Sequence, residues 1–296
     1  MRYSLLSRFQ GGLLGSEIAD LLTNSNDRES GLASRLLSFW LESECLEGVD
    51  WREIYQKQRI SGEKYDKINQ SKLAVLLLPL VLFFHDSPHR LETQLRLFLN
   101  AWEMSQDSWP ELLLWGHIIS LTLQDRLQPN RLIPQLLEIS TPLKPQLEQL
   151  QYSLEQNLPL AQAIADFRQS SPQFLAIAAA LYCFASTPAD FRLSILRATT
   201  ETEVRGAVAL TGTLAGTYNS VSGIPAPWRL AAQKNSALQQ IPQQAKTLLA
   251  VWSGNYCDMT GNSSAKLTVA AAGTIQPRRF WQMISQLITS SPPHPL

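Results

Sequence analysis

Few side chains in this 296-residue chain sit at spacings that chemistry can use. Glu17 and Asp20 lie three apart, so a helix puts both carboxylates on one side, where each raises the other's pKa as in an acid–base pair. Two solvated acids on an amphipathic helix have the same spacing. His85 and His89, four apart with Asp86 between them, have metal-ligand spacing on a helix, but Pro88 interrupts it. His85 better suits a helix C-terminus, where a partly positive imidazole meets the dipole. His117, beside Trp115 and Ile118, reads as a hydrogen-bonded core histidine. Cys183, within Leu181-Tyr182-Cys183-Phe184, reads as a small buried hydrophobe with no activating base beside it. The sequence contains neither a hydrolase nucleophile elbow nor a glycine-rich phosphate loop.

These residues must be positioned by helices. Leucine makes up 49 of the 296 residues and recurs at helical spacing, as in Leu91, Leu95, Phe98 and Trp102, and again in Leu143, Leu147, Leu150 and Leu154. No alternating run of β-branched residues extends beyond a few positions, and no Asn-Gly or Asp-Gly hairpin turn occurs. The expected fold is all-α, about a dozen helices, including 3–22, 31–46, 63–84, 90–104, 109–126, 143–156, 172–186, 188–199, 203–220 and 275–290. Ser171-Pro172 and Thr187-Pro188 each offer a capping hydroxyl before a proline at the first helical position, and Asp190 falls in the following first turn. A Gly-, Ser- and Asn-rich stretch at 253–264 marks a loop. The expected organisation is one helical domain over 1–252, with 253–296 forming that loop and a C-terminal helical segment packed on it.

Composition narrows the partners. Lys plus Arg and Asp plus Glu both number 25, so net charge gives no basis for binding nucleic acid or an acidic membrane surface. Hydrophobic content of 45% with 17% charged residues describes a chain that collapses into a core. The longest apolar runs, 73–84 and 174–185, are each 12 residues, against the roughly 17–25 that span a bilayer. Cys45, Cys183 and Cys257 are odd in number and widely separated, which fits neither a disulfide framework nor a metal pair and points to a reducing, cytoplasmic setting.

Two helices carry glycines that need an explanation, since an interior glycine costs about 1 kcal/mol relative to alanine. The first holds Gly11, Gly12 and Gly15; the second, near the other end, holds Gly212 and Gly216 one turn apart, with Ala209 and Thr213. Small residues spaced by four make a flat stripe that another backbone can approach closely. Helices 3–22 and 203–220 are therefore expected to cross in tight contact.

The same residues carry a resemblance. Arg8-Phe9-Gln10-Gly11-Gly12-Leu13-Leu14-Gly15 with Asp20 resembles the opening helix of the ADP-ribosylglycohydrolase family, R-F-x-G-x-L-x-G-x-x-x-G-D. The segment from Gly206 through Gly212, Gly216 and Tyr218, followed by Gly223-Ile224-Pro225 and Trp228, is similar to its closing I-A-G-A-L-A-G-A-Y-x-G, I-P and W. The resemblance implies a single-domain, all-α fold with a cleft where the end helices cross. It implies cleavage of the bond between ADP-ribose and a protein side chain or small acceptor, with two Mg²⁺ or Mn²⁺ ions held by acidic T-D-D and D-x-D-T motifs.

Against those motifs the chain departs. The D-x-D-T positions are occupied by Glu203, Val204, Arg205 and Gly206, and the T-D-D position falls within Asp27-Arg28-Glu29-Ser30, its register open. Two close dications need about four carboxylates, and a unit charge at about 4 Å and effective dielectric near 20 is worth roughly 4 kcal/mol, so a guanidinium in place of a carboxylate should expel a metal. Asp20 and Glu203 remain as candidate catalytic groups, and Glu29 and Glu203 as candidate metal ligands in a degenerate site. Arg205 either pairs with Glu203 or Asp20 or lies on a solvated face. The expectation is a metal-poor, catalytically impaired member with no bound cofactor, acting as a binding or scaffold protein for an ADP-ribose-like molecule or a protein partner. The alternative is an active hydrolase with a rearranged Mg²⁺- or Mn²⁺-dependent site.

Overall fold

The structure is a computed structural model, and it describes residues 3–23, 32–41, 50–60, 70–140, 142–201, 204–236 and 238–254. Among these residues every regular element is helical: α1 (Leu5–Thr23), α2 (Leu32–Leu41), α3 (Trp51–Ile60), α4 (Gln70–Leu76), α5 (Leu78–Phe84), α6 (Pro88–Ala101), α7 (Trp109–Leu123), α8 (Leu132–Leu137), α9 (Lys144–Glu155), α10 (Leu160–Ser170), α11 (Leu175–Ser186), α12 (Phe191–Thr199), α13 (Arg205–Gly223), α14 (Ala226–Gln233) and α15 (Ile241–Trp252). No helix of the described residues is long and apolar enough to cross a membrane. Contacts divide the chain into a unit Met1–Ala245 and a unit Lys246–Leu296. Of the second unit only 246–254 is described, so the expected C-terminal helix 275–290 and most of the 253–264 loop lie outside the described residues.

The larger unit is built around α1 and α13, which pack on each other far more extensively than any other pair. Both helices are buried along most of their length, because their polar content is small or self-satisfied. Thr211, Thr213 and Thr217 each donate their hydroxyl to the carbonyl four residues back, at 2.7–2.9 Å, which removes the cost of burying them. α11 and α12 cover one flank of α13, and α4 and α7 contact it elsewhere. A second apolar centre joins Trp40 of α2, Trp51 of α3, Phe83 and Phe84 of α5 and Phe98 of α6, with Trp40 and Phe83 edge to face at 5.3 Å.

Several sequence expectations change. The helix expected over 63–84 is divided at Leu77, because Pro79 supplies no N–H to continue the ladder. Ser171 and Thr187 close α10 and α11 rather than opening the helices that follow. α12 instead starts at Phe191, capped by Asp190: its backbone is extended (φ −125°, ψ 101°) and its carboxylate accepts the Leu193 N–H at 2.9 Å. The expected helix 203–220 runs on to Gly223 through a break at Ser220, whose φ of 61° and ψ of 177° lie in a region normally left to glycine.

Candidate functional site

The glycine stripes meet as their spacing requires. A Cβ added to Gly11 would strike the carbonyl oxygen of Gly216, and one added to Gly216 would strike that of Gly11; Gly15 and Gly212 stand in the same reciprocal relation. A Cβ on Gly212 would also lie 2.6 Å from the Ala19 Cβ, and one on Gly12 2.5 Å from the Thr217 hydroxyl oxygen. Backbone therefore touches backbone over two turns, which only glycine permits here. The pairing runs antiparallel, so the Asp20 end of α1 and the Arg205 end of α13 fall at the same end of the helix pair.

A third element reaches that end. Gly206, the second residue of α13, faces α4, and a Cβ there would come within 2.5 Å of the Ser71 Cβ. Gln70, the first residue of α4, has a buried Nε2 with no hydrogen-bond acceptor. Neither Gln70 nor Ser71 stood out in the sequence, because only the tertiary approach of α4 to α13 brings them here.

Of the predicted acids, Asp20 is half-buried near the C-terminus of α1. Glu17 is 2% exposed, so the two do not form a solvated pair on an amphipathic face. Asp27, Glu29 and Glu203 lie outside the described residues. Arg205 opens α13 and is exposed. Among the described residues it makes no ion pair. Its charge adds instead to the positive end of the α13 dipole, at a register where the resemblance places a carboxylate.

The described residues at this end do not supply the donor set that two divalent ions need: among them, no group of three or more His, Cys, Asp or Glu could hold a metal ion. The histidines lie elsewhere. His85 is buried at the end of α5 with Nδ1 2.8 Å from the Leu82 carbonyl oxygen, which fixes the proton on Nδ1, whereas His89 is exposed in the first turn of α6. His117 is half-buried rather than in the core and lines a cavity of about 360 Å³ with Glu92, Arg96 and Trp109; burial lowers its pKa. Cys183 is fully buried and its thiol is pushed up to about 12 by desolvation, as its apolar surroundings in the sequence suggested.

Arg8 had no role assigned from sequence beyond its place in the resemblance. It is 2% exposed, donating to the Thr122 carbonyl at the end of α7 and to the carboxylate of Asp125 just beyond. It thus locks the first turn of α1 onto α7 at the end of the pair opposite Asp20, a structural role that separation of 117 residues hides in the sequence.

Comparison with known proteins gives one result that bears on identity. No curated protein matches the chain. Residues 18–256 match the ADP-ribosylglycohydrolase family, a span that begins at Ile18, after the glycines of α1, and includes all of α13. The match extends over well more than half of the sequence, and the all-helical fold with its paired end helices agrees with it, so the chain belongs to the ADP-ribosylglycohydrolase family.

Proposed function

We propose that this protein is a metal-poor member of its family that binds an ADP-ribose-like molecule or a protein partner in the cytoplasm rather than hydrolysing efficiently. The observation that carries this reading is Arg205: an exposed cation in the first turn of α13, beside the positive end of the helix dipole, at a position the family pattern gives to an acid. A dication there faces repulsion of roughly 4 kcal/mol per unit charge at about 4 Å, and the described residues offer too few carboxylates to offset it. The close packing of the end helices, at whose crossing the family resemblance implies a cleft, is kept through Gly11, Gly15, Gly212 and Gly216. Helix packing of this kind, with no metal-holding group among the described residues, suits binding. The test is turnover of ADP-ribosylated arginine or O-acetyl-ADP-ribose by the purified protein with Mg²⁺. The expected result is none, and turnover above about 1 s⁻¹ overturns the reading.

A second reading has its own support in Asp20, which is half-buried at the same end as Arg205. On it, the protein is a working hydrolase whose single ion is recruited by Asp20, Glu29 and Glu203. An ion bound only by the folded protein raises the melting temperature. A thermal shift with millimolar Mg²⁺ or Mn²⁺ supports this reading, and no shift counts against it.

A further inference from the structure

A cavity of about 800 Å³ opens among α8, α9, the start of α10, α11 and α12. None of its lining comes from α1, α2, α4 or α13, so it is separate from the end of the helix pair described above. Its volume lies within the roughly 300–1,000 Å³ usual for small-molecule sites. Leu132, Ile133, Leu154 and Leu158 give it an apolar wall.

One rim is fixed by hydrogen bonds. The Tyr182 hydroxyl donates to the Leu158 carbonyl, and the Leu158 N–H donates to the Ser153 carbonyl at 3.0 Å. Between α9 and Leu158, Asn157 takes the left-handed conformation (φ 48°), which asparagine tolerates better than most residues. The cavity is thus preformed.

Its cation is Arg197, in the last turn of α12. Arg197 is half-buried, yet its guanidinium makes no hydrogen bond or ion pair with any described residue. It lies close enough to Tyr182 and Cys183 to favour their ionised forms, so it extends along α11. The other charged side chain of the lining, Glu155, is engaged within its own helix, accepting from Gln151 Nε2 at 2.6 Å. A half-desolvated guanidinium that no described carboxylate bonds, although Glu201 lies near enough to act on Cys183 as well, is complementary to a planar or tetrahedral anion.

The geometry points to a second ligand site in this cavity, for a small organic anion whose carboxylate or phosphate meets Arg197 and whose apolar body lies on Leu132, Ile133 and Leu154. The site stands whether or not the family cleft hydrolyses anything, because the two share no lining residue.

Calorimetric titration of the full chain with octanoate and with octyl phosphate tests it, with inorganic phosphate and octanol as half-ligands. Both amphiphiles should bind with a Kd of about 1 mM or tighter, and each half-ligand about tenfold more weakly or worse. Arg197→Gln should weaken both amphiphiles about tenfold or more without lowering the melting temperature, since it removes no internal bond. Ala185→Phe, which narrows the cavity from α11, should weaken them as well, and Arg192→Gln, exposed on the same helix, should not. Whichever head group binds more tightly names the anion. Absence of binding by both amphiphiles at millimolar concentration, or affinity unchanged in both Arg197→Gln and Ala185→Phe, overturns the proposal.

Discussion

Replacing Gly212 by alanine tests whether the end helices meet through backbone. The new Cβ would sit 2.6 Å from the Ala19 Cβ and closer still to the Gly15 carbonyl oxygen, where 3.4 Å begins ordinary contact. The blocking atoms belong to backbone and to a Cβ, so no rotamer change relieves them, and α1 and α13 must separate by about an ångström at this point. Gaps of that size forfeit a quarter to a half of each dispersion contact along the seam, and overpacking of this kind costs about 1–3 kcal/mol. Alanine returns about 1 kcal/mol in helix propensity. With backbone as the obstacle the cost falls at the upper end, leaving a net loss of about 2 kcal/mol, or about 4–8 °C in melting temperature for a chain of this size. Gly116→Ala is the control: its Cβ would meet the Leu95 Cδ1 methyl at 2.7 Å, the far end of a flexible side chain, so it should cost far less or stabilise. Gly15→Ala combined with Gly212→Ala should lose less than the sum of the two, since both push the same helices apart at one place. Thermal and urea unfolding measure all four variants. Gly212→Ala as stable as the natural chain, or no worse than Gly116→Ala, would refute the reasoning.

Two further outcomes follow from other residues. Ser220→Gly should stabilise, by about 1 kcal/mol at most, because relief of a glycine-type backbone conformation, about 1–3 kcal/mol, exceeds loss of the Ser220 hydroxyl's contacts with the Ser222 hydroxyl and, at 3.3 Å, the Ser222 N–H; urea unfolding checks it. The Glu111 carboxyl is raised above its usual 4.5, first by burial and then by Asp107, so its folded pKa exceeds its unfolded one. The neutral acid is the form the fold prefers, and stability is therefore fully present below the unfolded pKa and lost as pH rises through the folded pKa. Glu111→Gln should accordingly stabilise at pH 7, with a gain that fades as pH falls through the folded pKa towards the unfolded value of about 4.5, seen in melting temperatures across that range.

What the sequence disclosed was set by which interactions are local or periodic. Gly11, Gly15, Gly212 and Gly216 announced the central crossing because a four-residue spacing of small side chains has one geometric use. Leucine periodicity located most of the long helices for the same reason. Short helices such as α8 and α14 escaped, since six to eight residues hold too few turns to show a period. The start of α12 was misplaced because Thr187-Pro188 and Asp190 both carry capping chemistry, and only the backbone angles choose between them. The spacing of Glu17 and Asp20 suited an acid–base pair and two surface acids alike, and it could not show that Glu17 is buried, because burial depends on helices distant in sequence that pack on α1. Ser71 beside Gly206, Arg8 on Asp125 and Arg197 over the second cavity all depend on elements far apart in sequence, which no local pattern encodes.

The account rests on the charge at the start of α13, and calorimetric titration of Mg²⁺ into the full chain and into Arg205→Asp measures it most directly. The natural chain should show no binding in the low micromolar range, while Arg205→Asp, which restores an acid at that position, should bind Mg²⁺ measurably more tightly. Low-micromolar Mg²⁺ affinity in the natural chain, or affinity that Arg205→Asp leaves unchanged, would contradict it.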